Sequence, residues 1–319
     1  MKKLCVVAVV SAILFAAQPA RAWFNGGHMV VAYVAYKNLK PQQRARVDAL
    51  LMMNPMYTQW TNGVSKQRKG LVAFLNAAVW PDCIKQLACS PGYIKDGPNG
   101  GDTPPGNATD AQNIGYADKL MHKYWHFVDI PDSAGAPGLA PKTPNALTEI
   151  KDLSVAIGTA EGDDIKSYDV VWLEHLVGDV HQPLHATSRF TVDHPQGDAG
   201  GNFVKFCVLP CRDELHAYWD GLLGDTPTIG AVSSTGQALV AKGRPSGASI
   251  TDPAAWVDES AAIAKSFVYV APISDDNDPA VTISPRPDAA YQKRALKLAR
   301  SQVALAGYRL ADLLNTNLK

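Results

Sequence analysis

Residues 175–185 read HLVGDVHQPLH, and this run restricts the chain more than any other. It lies in a helical stretch over 169–182, where His175 and Asp179 stand four apart and so share one helix face. Pro183 cannot donate to the carbonyl of Asp179. It kinks the stretch and lets His185 leave the line of the first pair. The same spacing recurs in HAYWD as His216 and Asp220. One such pair alone reads as a surface hydrogen bond. Two pairs, with a third histidine past a proline kink, read as metal ligands. Imidazole and carboxylate without thiolate suit zinc in a hydrolytic site with open positions, whereas structural zinc is expected to use cysteine.

Two further segments offer partners: WPD places Asp82 at a helix end, and YWHFVD places His126 among aromatics. The chain start offers another. A basic MKK, an apolar LCVVAVVSAILFAA and a small-x-small ARA ending at Ala22 make residues 1–22 a cleavable signal peptide. The apolar stretch is shorter than the roughly 20 residues that span a bilayer. Cleavage would leave Trp23 as the first residue of a secreted or periplasmic protein. A free α-amino group has a pKa of about 7.7–8.0, so a cation can displace its proton near neutrality. The amine and carbonyl of Trp23 would then chelate a metal, with His28 completing the grip across NGG. The cut that exports the protein would also create a ligand.

Residues 23–319 form one expected domain. Losing Lys2, Lys3 and Arg21 takes the 30 basic residues to 27, against 30 acidic ones. That balance lacks the basic field of a duplex-binding protein, so any nucleic acid must be held by the active site itself. Cys5 leaves with the signal. The remaining Cys83, Cys89, Cys207 and Cys211 are expected to form the local pairs Cys83–Cys89 and Cys207–Cys211, each stapling a short loop.

The periodicity predicts helices over 29–39, 41–53, 69–84 (ended by Pro81), 146–160, 169–182, 212–222 and 288–318. A β-like run is expected over 198–210. Gly/Pro-rich loops are expected over 90–114 and 225–254. His181 lies six residues from His175 and points away from it, while His122 and His194 read as surface residues. Trp125, Trp172 and Trp219 read as core.

Taken together, Trp23 with His28, WPD, WHFVD, HLVGDVHQPLH, DAGGN and LHAYWD resemble the motifs of the zinc-dependent single-strand-specific nucleases, the S-one/P-one family. The resemblance runs from Trp23 to Asp220. It implies a mainly α fold of the phospholipase C and single-strand nuclease type: one all-helical domain with long loops and a short β-hairpin. It also implies three zinc ions. One would sit on Asp82, His126, His175 and Asp179, its neighbour on Trp23, His28 and the shared Asp179, and the third on His185, His216 and Asp220. Asp82, Asp179 and Lys85 would form the catalytic set, with Lys85 near the phosphate. Phe127 would stack on a base, Asp129 would hydrogen-bond its edge, and Asn202 would line the pocket. The implied activity is hydrolysis of single-stranded DNA and RNA to 5′-phosphorylated products, with 3′-nucleotidase activity, by a monomer that needs no membrane. The alternatives are a zinc phospholipase C, which has glutamate where Asp220 stands, and a non-catalytic zinc-binding protein.

Overall fold

Most of the periodic segments become helices in the computed structural model, which describes residues 23–86, 92–110, 115–134, 138–192, 194–204, 214–270, 273 and 288–319. The fold is mainly α. Its helices are α1 (Asn25–Asn38), α2 (Pro41–Leu51), α3 (Tyr57–Trp60), α4 (Lys69–Ala77), α5 (Trp80–Ile84), α6 (Ala146–Ala156), α7 (Asp163–Asp179), α8 (Leu215–Asp220), α9 (Ile229–Val240), α10 (Pro253–Ile263) and α11 (Ala289–Asn317). Among the described residues, none is long and apolar enough to cross a membrane.

Two of these helices form the interior. In α1, Gly26 through Tyr36 are all buried, and in α7 so are Lys166 through Asp179. Helices enclosed on every side need no polar face. Polar residues on them are therefore costly unless something inside the protein satisfies them. α1 lies against α11, α9, α4 and α7, and α7 also touches α2, α5 and α6. Trp125, Trp172 and Trp219 are core residues as expected, each at most 1% exposed. The Trp125 and Trp172 rings meet edge-on at 4.9 Å.

Several expectations need correction. The run over 69–84 is broken between Ala77 and Trp80, and Pro81 opens α5 instead of ending a helix. A proline in the first turn forfeits no hydrogen bond, because that N–H has no partner within the helix. The stretch 225–254 contains α9, whose first turn is capped by the Thr228 hydroxyl, which accepts from the Ala231 N–H at 3.2 Å. It also holds the start of α10, where Asp252 caps and Pro253 follows.

The sheet is not a hairpin: β1 (Pro131–Ala134) and β2 (Ser188–Thr191) pair in parallel, Pro131 facing Ser188 and Ala134 facing Thr191. Of the β-like run over 198–210, residues 205–210 lie outside the described residues, and residues 198–204 form a turn segment. The signal segment 1–22 and Cys89, Cys207 and Cys211 also lie outside the described residues.

Candidate metal centre

The break after α4 has a direct use. It frees the carbonyl of Ala78, which accepts a hydrogen bond from His175 Nδ1 at 2.7 Å. Two other histidines are held in the same way. His185 Nδ1 donates to the carbonyl of His126 at 2.7 Å, and His216 Nδ1 donates to the carbonyl of Gly200 at 2.7 Å. With its Nδ1 proton committed to a carbonyl, each ring turns an Nε2 lone pair inward, the arrangement of a metal-ligating histidine.

Those inward atoms converge in three buried groups, each able to hold a metal ion: His28 with His175 and Asp179, Asp82 with His126 and His175, and His185 with His216 and Asp220. In the first, His28 Nε2 lies 3.3 Å from Asp179 Oδ1, and His175 Nε2 lies 3.3 Å from Asp179 Oδ2. In the second, His175 Nε2 is 3.6 Å and His126 Nδ1 is 3.8 Å from Asp82 Oδ1. Asp179 joins the two, its Oδ2 also 3.1 Å from His126 Nδ1. In the third, His216 Nε2 is 3.4 Å from Asp220 Oδ2, and His185 Nε2 is 3.9 Å from Asp220 Oδ1.

The donor set fits zinc on two counts. His185 Nε2 and His216 Nε2 face each other at 3.0 Å, yet both rings already spend their Nδ1 protons on carbonyls. Two lone pairs that close repel unless a cation lies between them. Buried His28 Nδ1 and Nε2, Asp179 Oδ1 and Asp220 Oδ2 also have no hydrogen-bond partner, and such atoms are expensive to bury unless they serve a ligand.

Burial dominates the electrostatics. It pushes His28, His126, His175 and His185 well below 6.5, and His216 down to about 4. It also pushes Asp179 up, helped by the charge of Asp82, and raises Asp220 despite its hydrogen bond from Gln182. Carboxylates in that setting call for a positive charge.

The remaining residues named from the sequence sort as follows. Trp23 is fully buried, and its indole Nε1 donates to the carbonyl of Gly178 at 3.1 Å. Gly178 must lack a side chain, since a Cβ there would lie 2.8 Å from His28 Nδ1. The N–H of Phe24 donates to the carbonyl of Asp220 at 2.9 Å, so the segment before α1 is stitched to both α7 and α8. Lys85 Nζ lies 2.5 Å from Asp82 Oδ1. Phe127 and Asp129 are half-buried just past His126. Burial, reinforced by the charge of Asp198, raises the carboxyl of Asp129 to about 6. The Asn202 side chain donates to the carbonyl of Ala199 at 2.6 Å, closing its own turn.

His181 points away from the clusters, as expected, its ring between the Val177 carbonyl and Arg309. His194 is partly exposed. His122 is not a surface residue: it is fully buried. Sequence reasoning also missed two supporting groups. Gln182 donates to Asp220 Oδ1 at 2.7 Å. Asp198 Oδ1 accepts from the N–H groups of Arg189 and Gly201 at 2.9 and 3.1 Å, pinning the loop whose Gly200 carbonyl orients His216. Gly200 has φ +62°, and a Cβ there would lie 2.3 Å from the Leu184 carbonyl. The signal was present in DAGGN, whose acidic head precedes two glycines free to adopt left-handed backbone.

Residues 23–319 match the family described as S1/P1 Nuclease. No curated protein matches the chain.

Proposed function

The chain belongs to the S1/P1 nuclease family, a zinc-dependent family of hydrolases acting on phosphodiester bonds, and we propose that it is an exported enzyme that cuts single-stranded DNA and RNA to 5′-phosphorylated products. A 3′-nucleotidase activity and a monomeric state belong to the same reading. The observation that carries it is the convergence of buried imidazole and carboxylate atoms in three groups, two of which share His175, with several of those atoms lacking any hydrogen-bond partner.

In this reading three zinc ions are held, the first on Asp82, His126, His175 and Asp179. The second is held by Trp23, His28 and Asp179, the third by His185, His216 and Asp220. Zinc bound there supplies Lewis acidity toward a phosphate ester and acidifies water near neutral pH. The chain's own groups do the rest. Lys85, paired with Asp82, places an ammonium where charge on phosphorus oxygens grows. Phe127 offers a face to any base, which is sequence-tolerant and contributes about 1–3 kcal/mol, and a base must leave its stack to use it. Single-strand preference follows from that without a basic groove. Asp129 accepts from the base edge, and the segment carrying Asn202 walls the pocket.

Export with cleavage after Ala22 supplies the free amine of Trp23, and the buried, doubly anchored position of Trp23 supports a role for it at the site. The oxidising destination suits the pairs Cys83–Cys89 and Cys207–Cys211.

The test is release of acid-soluble nucleotides from single-stranded DNA and RNA by protein beginning at Trp23. It is run beside a form with one extra residue before Trp23, with chelation and zinc re-addition. Zinc-dependent release that falls sharply in the extended form is the expected result. Equal release by both forms removes Trp23 from the site. No release by either zinc-loaded form overturns the nuclease reading and redirects the assay to phospholipids.

A further inference from the structure

His122 opens the 310 turn Lys123–His126 with φ +43°, a left-handed backbone uncommon outside glycine. Its ring is fully buried and stacks on Trp125, the centroids 3.8 Å apart and the planes 3° from parallel. Nδ1 lies 3.0 Å from Asp96 Oδ2, and Nε2 lies 2.8 Å from Asp118 Oδ2. The main-chain N–H of His122 donates to the other oxygen of Asp96 at 2.8 Å. A neutral imidazole donates from one nitrogen only, whereas an imidazolium donates from both. Nε2 is hydrogen-bonded to Asp118 and Nδ1 lies at ion-pair distance from Asp96, so a carboxylate charge at each nitrogen favours the charged ring.

The turn that His122 opens serves two clusters at once. The side chain of His126 reaches Asp179, while its carbonyl oxygen accepts from His185 Nδ1. The N–H of Trp125 donates to the carbonyl of His122 at 2.9 Å, so the turn is tied to His122 by backbone as well as by ring.

We propose that His122, as an imidazolium clamped between Asp96 and Asp118, is a positioning residue that fastens this turn and thereby aims His126 and His185. Two of the clusters then depend on a proton held outside them. The inference rests on the reading of those clusters as zinc sites.

Burial works to lower His122, but the hydrogen bonds and charges of Asp118 and Asp96 outweigh it and hold the ring above 6.5. Burial likewise works to raise Asp96, and His122 outweighs it, leaving that carboxyl below 3.8. The tyrosine hydroxyls around the clamp stay neutral. Burial raises the hydroxyls of Tyr124, 3.4 Å from Nδ1, of Tyr168, which donates to Asp118, and of Tyr93 beside Asp118. The charge of Glu149 also works to raise Tyr124. A histidine raised above its unfolded value stabilises fully below 6.5 and loses that contribution as pH rises through its folded value. The depressed Asp96 loses its contribution as pH falls through its own folded value. The clamp holds between those limits.

The experiment follows zinc transfer from zinc-loaded protein to a chelator from about pH 5 to about pH 9, spanning histidine titration. Wild type is compared with His122→Gln and Asp96→Asn, and the His122 ring is titrated by NMR. In wild type, release is expected to quicken as pH rises past the His122 value, opposite in sign to release caused by protonating ligands. His122→Gln should lose zinc on the order of 10-fold faster near neutrality, with that alkaline break gone. Asp96→Asn keeps the imidazole and should move the break to lower pH. A His122 ring that titrates at or below 6.5, or variants that release zinc as wild type does, would overturn the proposal. Failure of wild type to bind zinc at all would instead overturn the reading of the clusters.

Discussion

The ring of His28 lies stacked on that of His175, the centroids 3.9 Å apart and the planes 17° from parallel. Two imidazolium rings that close repel, so the contact selects neutral rings whose lone pairs are free for a cation. Burial holds both well below 6.5, joined by His175 for His28 and by Lys85 for His175. Depressed histidines bind fewer protons folded than unfolded, so the stability they allow is present above 6.5 and declines as pH falls below it. Metal content measured after dialysis at successively lower pH is therefore expected to fall, because ligand protonation competes with zinc. Full zinc content retained far below 6.5 would count against this account.

Asp179→Ala removes the carboxylate that lies 3.3 Å from His28 and 3.1 Å from His126. Turnover of single-stranded DNA should drop well beyond the roughly 10–100-fold typical of outer partners, with loss of at least one zinc. Elemental analysis beside a rate assay checks both, and full zinc with full turnover would remove Asp179 from the proposed metal site.

Gln182→Ala deletes the donor to Asp220 Oδ1 and the acceptor of the Leu184 N–H. Zinc affinity at the His185–His216–Asp220 group should weaken about 10–100-fold while the other groups keep theirs. A chelator titration that resolves the zinc ions reads this directly.

Gly178→Ala tests the close approach of α7 to His28. Helix propensity alone favours alanine by roughly 0.5–1 kcal/mol, but the added methyl would lie 2.8 Å from His28 Nδ1. Overpacking should win, with a net loss of about 1–3 kcal/mol in the zinc-loaded protein. A variant that melts higher than wild type would mean that His28 yields without cost.

Asp129→Asn tests the surroundings of that carboxyl without substrate. Its carboxyl, at about 6 when folded against 3.8 ordinarily, binds more protons folded than unfolded, so it destabilises increasingly as pH rises through that interval. The variant should melt higher than wild type above pH 6 and match it near pH 4. Equal melting curves throughout would show that the carboxyl is well solvated.

What the sequence made legible were the pairs of ligands spaced four apart on a single helix face, one pair in α7 and one in α8. His175 with Asp179 and His216 with Asp220 fall on common faces by spacing alone, and Pro183 marks where the third histidine departs. His122 was misread because Asp96 comes from an irregular segment far away in sequence, and Asp118, although four residues before it, shares no helix with it. The α9 helix was missed because IGAVSSTGQALV is rich in small and hydroxylated residues that resemble a loop until packing against α1 decides the matter. Pro81 was read as a terminator because its position relative to a break, rather than its identity, determines whether it ends or begins a helix.

The pairing of α1 with α11 sets the order of assembly. The first described helix finds its main neighbour in the last described one, Ala289–Asn317, so the side of α1 that meets α11 stays uncovered until that distant segment is in place. Contacts of such long sequence separation are slow to form, since loop entropy is lost before they contribute. The candidate ligands from His28 to Asp220 all precede α11 in the chain, so they are all present before the contact between α1 and α11 closes.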